Sequence, residues 1–167
     1  MAGRTHPAKA RVVGISELLV SDVQSDVLIT YSLGSCLGVS VFDPVARVGA
    51  LAHFLLPMSK LDPAKAKDTP TMFVDTGTIT MLEQLYALGA RRERLEIKAA
   101  GGASPIDVND RFGIGKRNLM VLRKVLWKND LLLGPHDCGG TLPRTLTLNL
   151  STGETVVTIQ GESQPLD

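Results

Sequence analysis

The stretch Val27–Pro44, "VLITYSLGSCLGVSVFDP", begins and ends as strand material and is interrupted by "LGSCLG". Alternation of β-branched and apolar residues on both sides predicts two strands, and the glycines mark where the pattern breaks. A structural cysteine would sit inside the apolar run. Cys36 stands between Gly34 and Gly38 instead, where a backbone free of side chains can be approached closely.

Working outward, "LGVSVFDPVARVGALAHFLL" reads as two strands about a turn, because Asp43 followed by Pro44 suits the first positions of a type I turn. Closing the hairpin on Asp43–Ala46 sets Cys36 directly opposite His53. Residues so paired have Cβ atoms about 4.5–5.5 Å apart, close enough for a thiol to meet an imidazole. A longer loop through Arg47 slips that register. "RVVGISELLV" before the opening stretch adds strand material, and "RTLTLNLSTGETVVTIQ" reads as a terminal hairpin about "STGE".

Between these lie two helical patterns. Val74, Thr78, Met81, Leu82, Leu85 and Leu88 recur at helical spacing, with Gly89 as terminator. Leu119, Leu122, Val125 and Leu126 make one face of a second helix. "MSKLDPAKAKDTP" has no periodicity and is read as a mobile surface loop. Strands joined by hairpins with helices inserted in mid-chain argue for an α+β fold rather than a doubly wound parallel sheet. Residues 1–11 and 161–167 are polar and read as tails around one domain spanning 12–160.

The 167 residues include 18 basic and 17 acidic side chains, and aromatics make up 4%. That balance gives no electrostatic footprint for nucleic acid and little material for base stacking. No apolar run reaches the ~18 residues of a membrane span, and no secretory leader is visible, so the expected location is the cytoplasm with both thiols reduced.

Chemistry concentrates on a few residues. His6 falls in the tail, leaving His53 and His136. A thiol is a few per cent thiolate at neutral pH and becomes a nucleophile when an imidazole takes its proton. Amides around Ser35 and Cys36, beside Gly34, are placed to meet a developing oxyanion, and Thr30 on the preceding strand is placed to orient His53. The plain alternative is a buried structural cysteine and a satisfied core histidine. A zinc site joining Cys36 and His53 to His136 and Cys138 is a second alternative, without tight ligand spacing.

Thr30, "LGSC" ending at Cys36 and "DPVARVGALAHFLLP" around His53 resemble the signature of the chemoreceptor glutamine deamidase family CheD. "DTGTITML", "AGGAS", "IGKRN" and "DCGG" extend the resemblance across most of the chain. The resemblance implies a catalytic set of Cys36, His53 and Thr30, no cofactor or metal, and conversion of receptor glutamines to glutamate through a cysteine thioester, with hydrolysis of glutamyl methyl esters in some members. It implies mixed β-sheets in layers with two or three helices on one side, similar to toxin-type cysteine hydrolase domains. The implied partners are the cytoplasmic helices of methyl-accepting chemoreceptors and a CheC-type phosphatase. The competing functional reading is a non-catalytic module that docks on that phosphatase.

Overall fold

The computed structural model describes residues 9–106 and 110–167. The expected tail residues 1–8, His6 among them, lie outside the described residues. Among the described residues ten strands form two five-stranded sheets. Sheet one contains β1 (Lys9–Val12), β3 (Asp26–Leu33), β8 (Arg144–Asn149), β9 (Thr155–Ile159) and β10 (Glu162–Pro165), in that order across the sheet. In sheet two the order is β2 (Leu18–Ser21), β5 (Val48–Phe54), β4 (Leu37–Asp43), β6 (Glu96–Gly101) and β7 (His136–Cys138). The pairs β1–β3 and β6–β7 are parallel and the others antiparallel. The three α-helices are α1 (Pro63–Asp68), α2 (Val74–Ala87) and α3 (Ile114–Lys128).

Every residue of β4 and β5 is buried. The cause is their position in the middle of three layers, covered on both faces. Leu37, Val39, Val41, Ala50, Ala52 and Phe54 pack against Val74, Met81 and Leu85 of α2 and Leu122 and Leu126 of α3. On the opposite face, Cys36, Phe42 and Leu51 share a second cluster with Leu28, Leu33, Leu146 and Leu148 of sheet one. Two-residue periodicity thus sorts one hairpin into two cores. The fold is α+β, layered helix, sheet, sheet.

Five expectations are corrected, the hairpin register last. The supposed mobile loop at 58–70 is a run of short helices: the Asp62 carboxylate accepts from the Lys65 amide, Pro63 occupies the first turn of α1, and the Ser59 amide and hydroxyl donate to Asp75. The supposed C-terminal tail pairs as β10 with β9, and Leu166 is buried. At the other end Lys9–Arg11 belong to β1, not to a tail. The face of α3 is Gly115, Asn118, Leu122 and Leu126, while Leu119 and Val125 are only half-buried. Its first two turns face two loops rather than the apolar core.

The central correction is the register of the β4–β5 hairpin. Asp43 pairs with Val48 across a loop that includes Arg47 at φ 57°, so His53 stands opposite Gly38 and not opposite Cys36. Asp43 holds this loop. Its side chain accepts from the amides of Val45 and Ala46 and, from outside the hairpin, from the Arg91 amide and the Arg94 guanidinium.

Candidate active site

His53 is almost fully buried between the sheets. Its Nδ1 lies 2.7 Å from the Thr30 hydroxyl of sheet one, and that hydroxyl donates its own proton to the Val13 carbonyl at 2.7 Å. A hydroxyl has one proton. With that proton committed, Nδ1 must carry the hydrogen of this contact and donate it to the Thr30 oxygen. The neutral ring is therefore held with Nε2 unprotonated. Nε2 is buried and has no hydrogen-bond partner among the described residues. Burial favours the uncharged ring, pushing the pKa of His53 below its ordinary value of 6.5.

Cys36 immediately precedes β4 and is buried in the cluster between the sheets, on the same sheet face as His53. The observed register makes the two diagonal neighbours across Gly38. Diagonal positions have Cα atoms roughly 7–8 Å apart, within reach of a ring. The unpartnered Nε2 means that no thiol–imidazole hydrogen bond is closed among the described residues. Burial pushes the Cys36 thiol above its ordinary value, offset in part by its own backbone amide. Both shifts favour the uncharged forms, a thiol and a neutral imidazole.

The loop carrying Cys36 is gripped from two sides. Its Gly34 and Cys36 carbonyls each accept a 2.8 Å hydrogen bond, from the amides of Ala103 and Gly102 respectively. Between them the Ser35 carbonyl accepts from Asn118 Nδ2 at 2.9 Å, and the same nitrogen donates to the Leu55 carbonyl at 3.3 Å. Neither the Ser35 nor the Cys36 amide is engaged by another described residue. A Cβ on Gly101 would collide with the Cys36 carbonyl, and one on Gly115 with the Ala103 carbonyl. Close backbone approach is thus the physical content of "AGGAS" and of the start of "IGKRN". Nothing in the sequence hinted at the Asn118 contacts, because one polar residue in an amphipathic pattern gives no signal of what it touches. The strand irregularity lies in β3 between Thr30 and Leu33, with Ser32 at φ 58°, rather than at the glycines flanking Cys36.

The second His/Cys pair goes elsewhere. Cys138 is on edge strand β7, separated from β4 by β6, and His136 contacts Arg123. Burial pushes the Cys138 thiol up to about 11, against the guanidinium of Arg144, which lowers it. No three His, Cys, Asp or Glu side chains converge on a metal position among the described residues.

A family model described as CheD chemotactic sensory transduction matches residues 55–159. The probable chemoreceptor glutamine deamidase CheD 1 of Syntrophus aciditrophicus is 44% identical over 150 residues, covering 90% of this chain and 94% of its own. The chain belongs to the CheD family. The probable chemoreceptor glutamine deamidase CheD of Solibacter usitatus is 43% identical over 93% of this chain and 92% of its own. For the chemoreceptor glutamine deamidase CheD of Thermotoga maritima the figures are 38%, 94% and 96%. Among solved structures, the hypothetical protein YfiH of Bacillus licheniformis gives a TM-score of 0.44 at 11% identity over 84% of this chain and 61% of that one, a likeness too slight to argue from. The CheD family-model match begins after His53, so it says nothing of Thr30, Cys36 or His53.

Proposed function

We propose that this CheD chain is a chemoreceptor glutamine deamidase, with Cys36 as nucleophile, His53 as acid and base, and Thr30 as the residue that orients His53. The observation that carries the reading is the buried Thr30–His53 contact. It leaves an unpaired Nε2 on the same face as a cysteine, in a chain whose relatives are named glutamine deamidases.

Cys36 Sγ attacks the side-chain amide carbonyl of a receptor glutamine while its proton passes to Nε2. The carbonyl electron pair moves onto oxygen, which faces the amides of Ser35 and Cys36 beside Gly34. Collapse of the tetrahedral adduct expels ammonia as the imidazolium returns the proton, leaving a thioester. Water, deprotonated by Nε2, cleaves that thioester to glutamate and restores the thiol. A glutamyl methyl ester would follow the same path with methanol leaving. Each conversion of glutamine adds a negative charge to a helical receptor surface, where like charges at close spacing weaken packing.

A receptor substrate of this kind would be met in the cytoplasm, where the signalling helices of the receptor lie. No described helix is long and apolar enough to cross a membrane. A CheC-type phosphatase is the further partner of this reading, docking over the same cleft and competing with the receptor.

The direct test is mass spectrometry of a receptor cytoplasmic domain after incubation with the protein. Deamidation adds about one dalton at a glutamine. An unchanged receptor, with full binding of the phosphatase, would overturn the enzyme in favour of the docking module. Thr30→Val should lower kcat about 100-fold with little change in KM, because the hydroxyl acts on the ring rather than on docking. Thr30→Ser should restore most of the loss; a rise in KM alone would contradict the role.

A further inference from the structure

Three successive carbonyls of the nucleophile loop are held, and the middle one is held by a side chain. Ala103 N–H takes Gly34 O, Asn118 Nδ2 takes Ser35 O and Gly102 N–H takes Cys36 O. In a planar trans peptide the carbonyl and the following N–H point in opposite directions. All described peptide bonds are trans. Fixing Gly34 O therefore fixes the direction of Ser35 N–H, and fixing Ser35 O fixes that of Cys36 N–H. Those two amides have no other described partner.

Asn118 itself is fully buried, and its Oδ1 has no hydrogen-bond partner among the described residues. Turning the amide over would aim an oxygen at two carbonyl oxygens, so the orientation is forced. A leucine of the same branching would leave no orphan acceptor here, yet it would release Ser35 O and Leu55 O. Leu55 follows His53 by two residues, so the same nitrogen ties the cysteine loop to the end of the histidine strand.

We propose that Asn118 is a positioning residue for acyl transfer: from α3 it clamps the Ser35–Cys36 peptide so that the Cys36 N–H is preset toward the oxyanion. The inference rests on the deamidase reading. Preset donors act where charge develops, so the effect falls on kcat.

The test is Asn118→Leu, read by steady-state deamidation of a receptor cytoplasmic domain, by iodoacetamide alkylation of Cys36, and by hydrogen exchange. The expected result is a kcat about 10²- to 10³-fold lower with KM changed by less than about twofold. Alkylation, which develops no oxyanion, should change by less than about threefold. Exchange at the Gly102 and Ala103 amides, which hold the flanking carbonyls of the loop, should quicken while β4 and β5 stay protected. A folded variant with wild-type kcat overturns the proposal, as does a loss of kcat matched by an equal loss of alkylation. If Asn118→Leu does not fold, the wild-type protein decides: both Nδ2 protons of Asn118 should exchange far more slowly than those of a free amide, and fast exchange overturns the clamp. Wild-type protein that leaves every glutamine intact defeats the deamidase reading, and the exchange measurements still decide the clamp.

Discussion

Cys36→Ala should stop deamidation altogether, a fall of about 10⁴-fold or more in kcat, because in the proposed mechanism the nucleophile and its proton acceptor act as one unit. The variant should stay folded, since it loses a single sulfur from a cluster still filled by Leu33, Phe42 and Leu51. Cys36→Ser should be nearly as inactive, its hydroxyl lacking the acidity of a thiol. His53→Ala should match them in activity while losing more stability, because it empties a buried site and strips Thr30 of one of its two partners. Deamidation measured by mass spectrometry beside thermal unfolding separates the two effects. Wild-type turnover by folded Cys36→Ala protein would sink the mechanism.

The pH dependence of the same pair follows from burial. Both shifts favour the uncharged forms, so a thiol and a free Nε2 are expected together from below pH 6.5 to above 9.0. Alkylation of Cys36 should therefore rise with an apparent pKa above the ordinary thiol value, and kcat/KM should hold as pH falls to 6.5 before declining. A preformed thiolate–imidazolium pair would instead alkylate readily well into acid. Stability carries the matching sign: a histidine whose folded pKa is depressed contributes fully above 6.5 and loses that contribution as pH falls through its lowered value.

How much of this was legible in the sequence depends on distance along the chain. The two strands around "LGSCLG" and α2 could be read because burial imposes its period on neighbouring residues. The tie between Thr30 and His53 was foreseen only as an orienting role, since the hydroxyl's commitment to the Val13 carbonyl, which decides the tautomer, is a contact between separate segments. Asn118 reaches Ser35 from the far side of the chain and gives no periodic signal. The α1 segment is a different failure, because Asp62 followed by Pro63 was a readable helix start that its polar composition hid. β10 was overlooked for the same reason: an edge strand with exposed side chains has no alternation to show.

The hairpin register is the most instructive case. The observed pairing differs from the one expected from a turn at Asp43–Ala46 by two residues, and a slip of two returns every side chain to its own face. The hydrophobic pattern is therefore indifferent between them. What selects the observed register is Asp43, fully buried and bound at once to its own loop and to the Arg91–Arg94 segment. Burial alone would raise its pKa, but the Arg94 side chain and the amides of Ala46, Arg91 and Val45 outweigh it and hold the carboxyl at about 2. Asp43→Ala leaves three amides and a guanidinium without their acceptor, and should cost about 3–5 kcal/mol. Denaturant unfolding at neutral pH measures this; a loss under about 1 kcal/mol would mean that something other than Asp43 sets the loop. In acid the wild-type advantage should be complete above 3.8 and disappear as pH falls toward about 2. Asp43→Asn keeps an uncharged acceptor for the Val45 and Ala46 amides but gives up the ion pair with Arg94, so it should lose less at neutral pH and show none of this acid dependence. Because the register sets His53 diagonal to Cys36, any folded Asp43→Ala population with a slipped hairpin should also carry altered Cys36 alkylation, which ties the turn to the site.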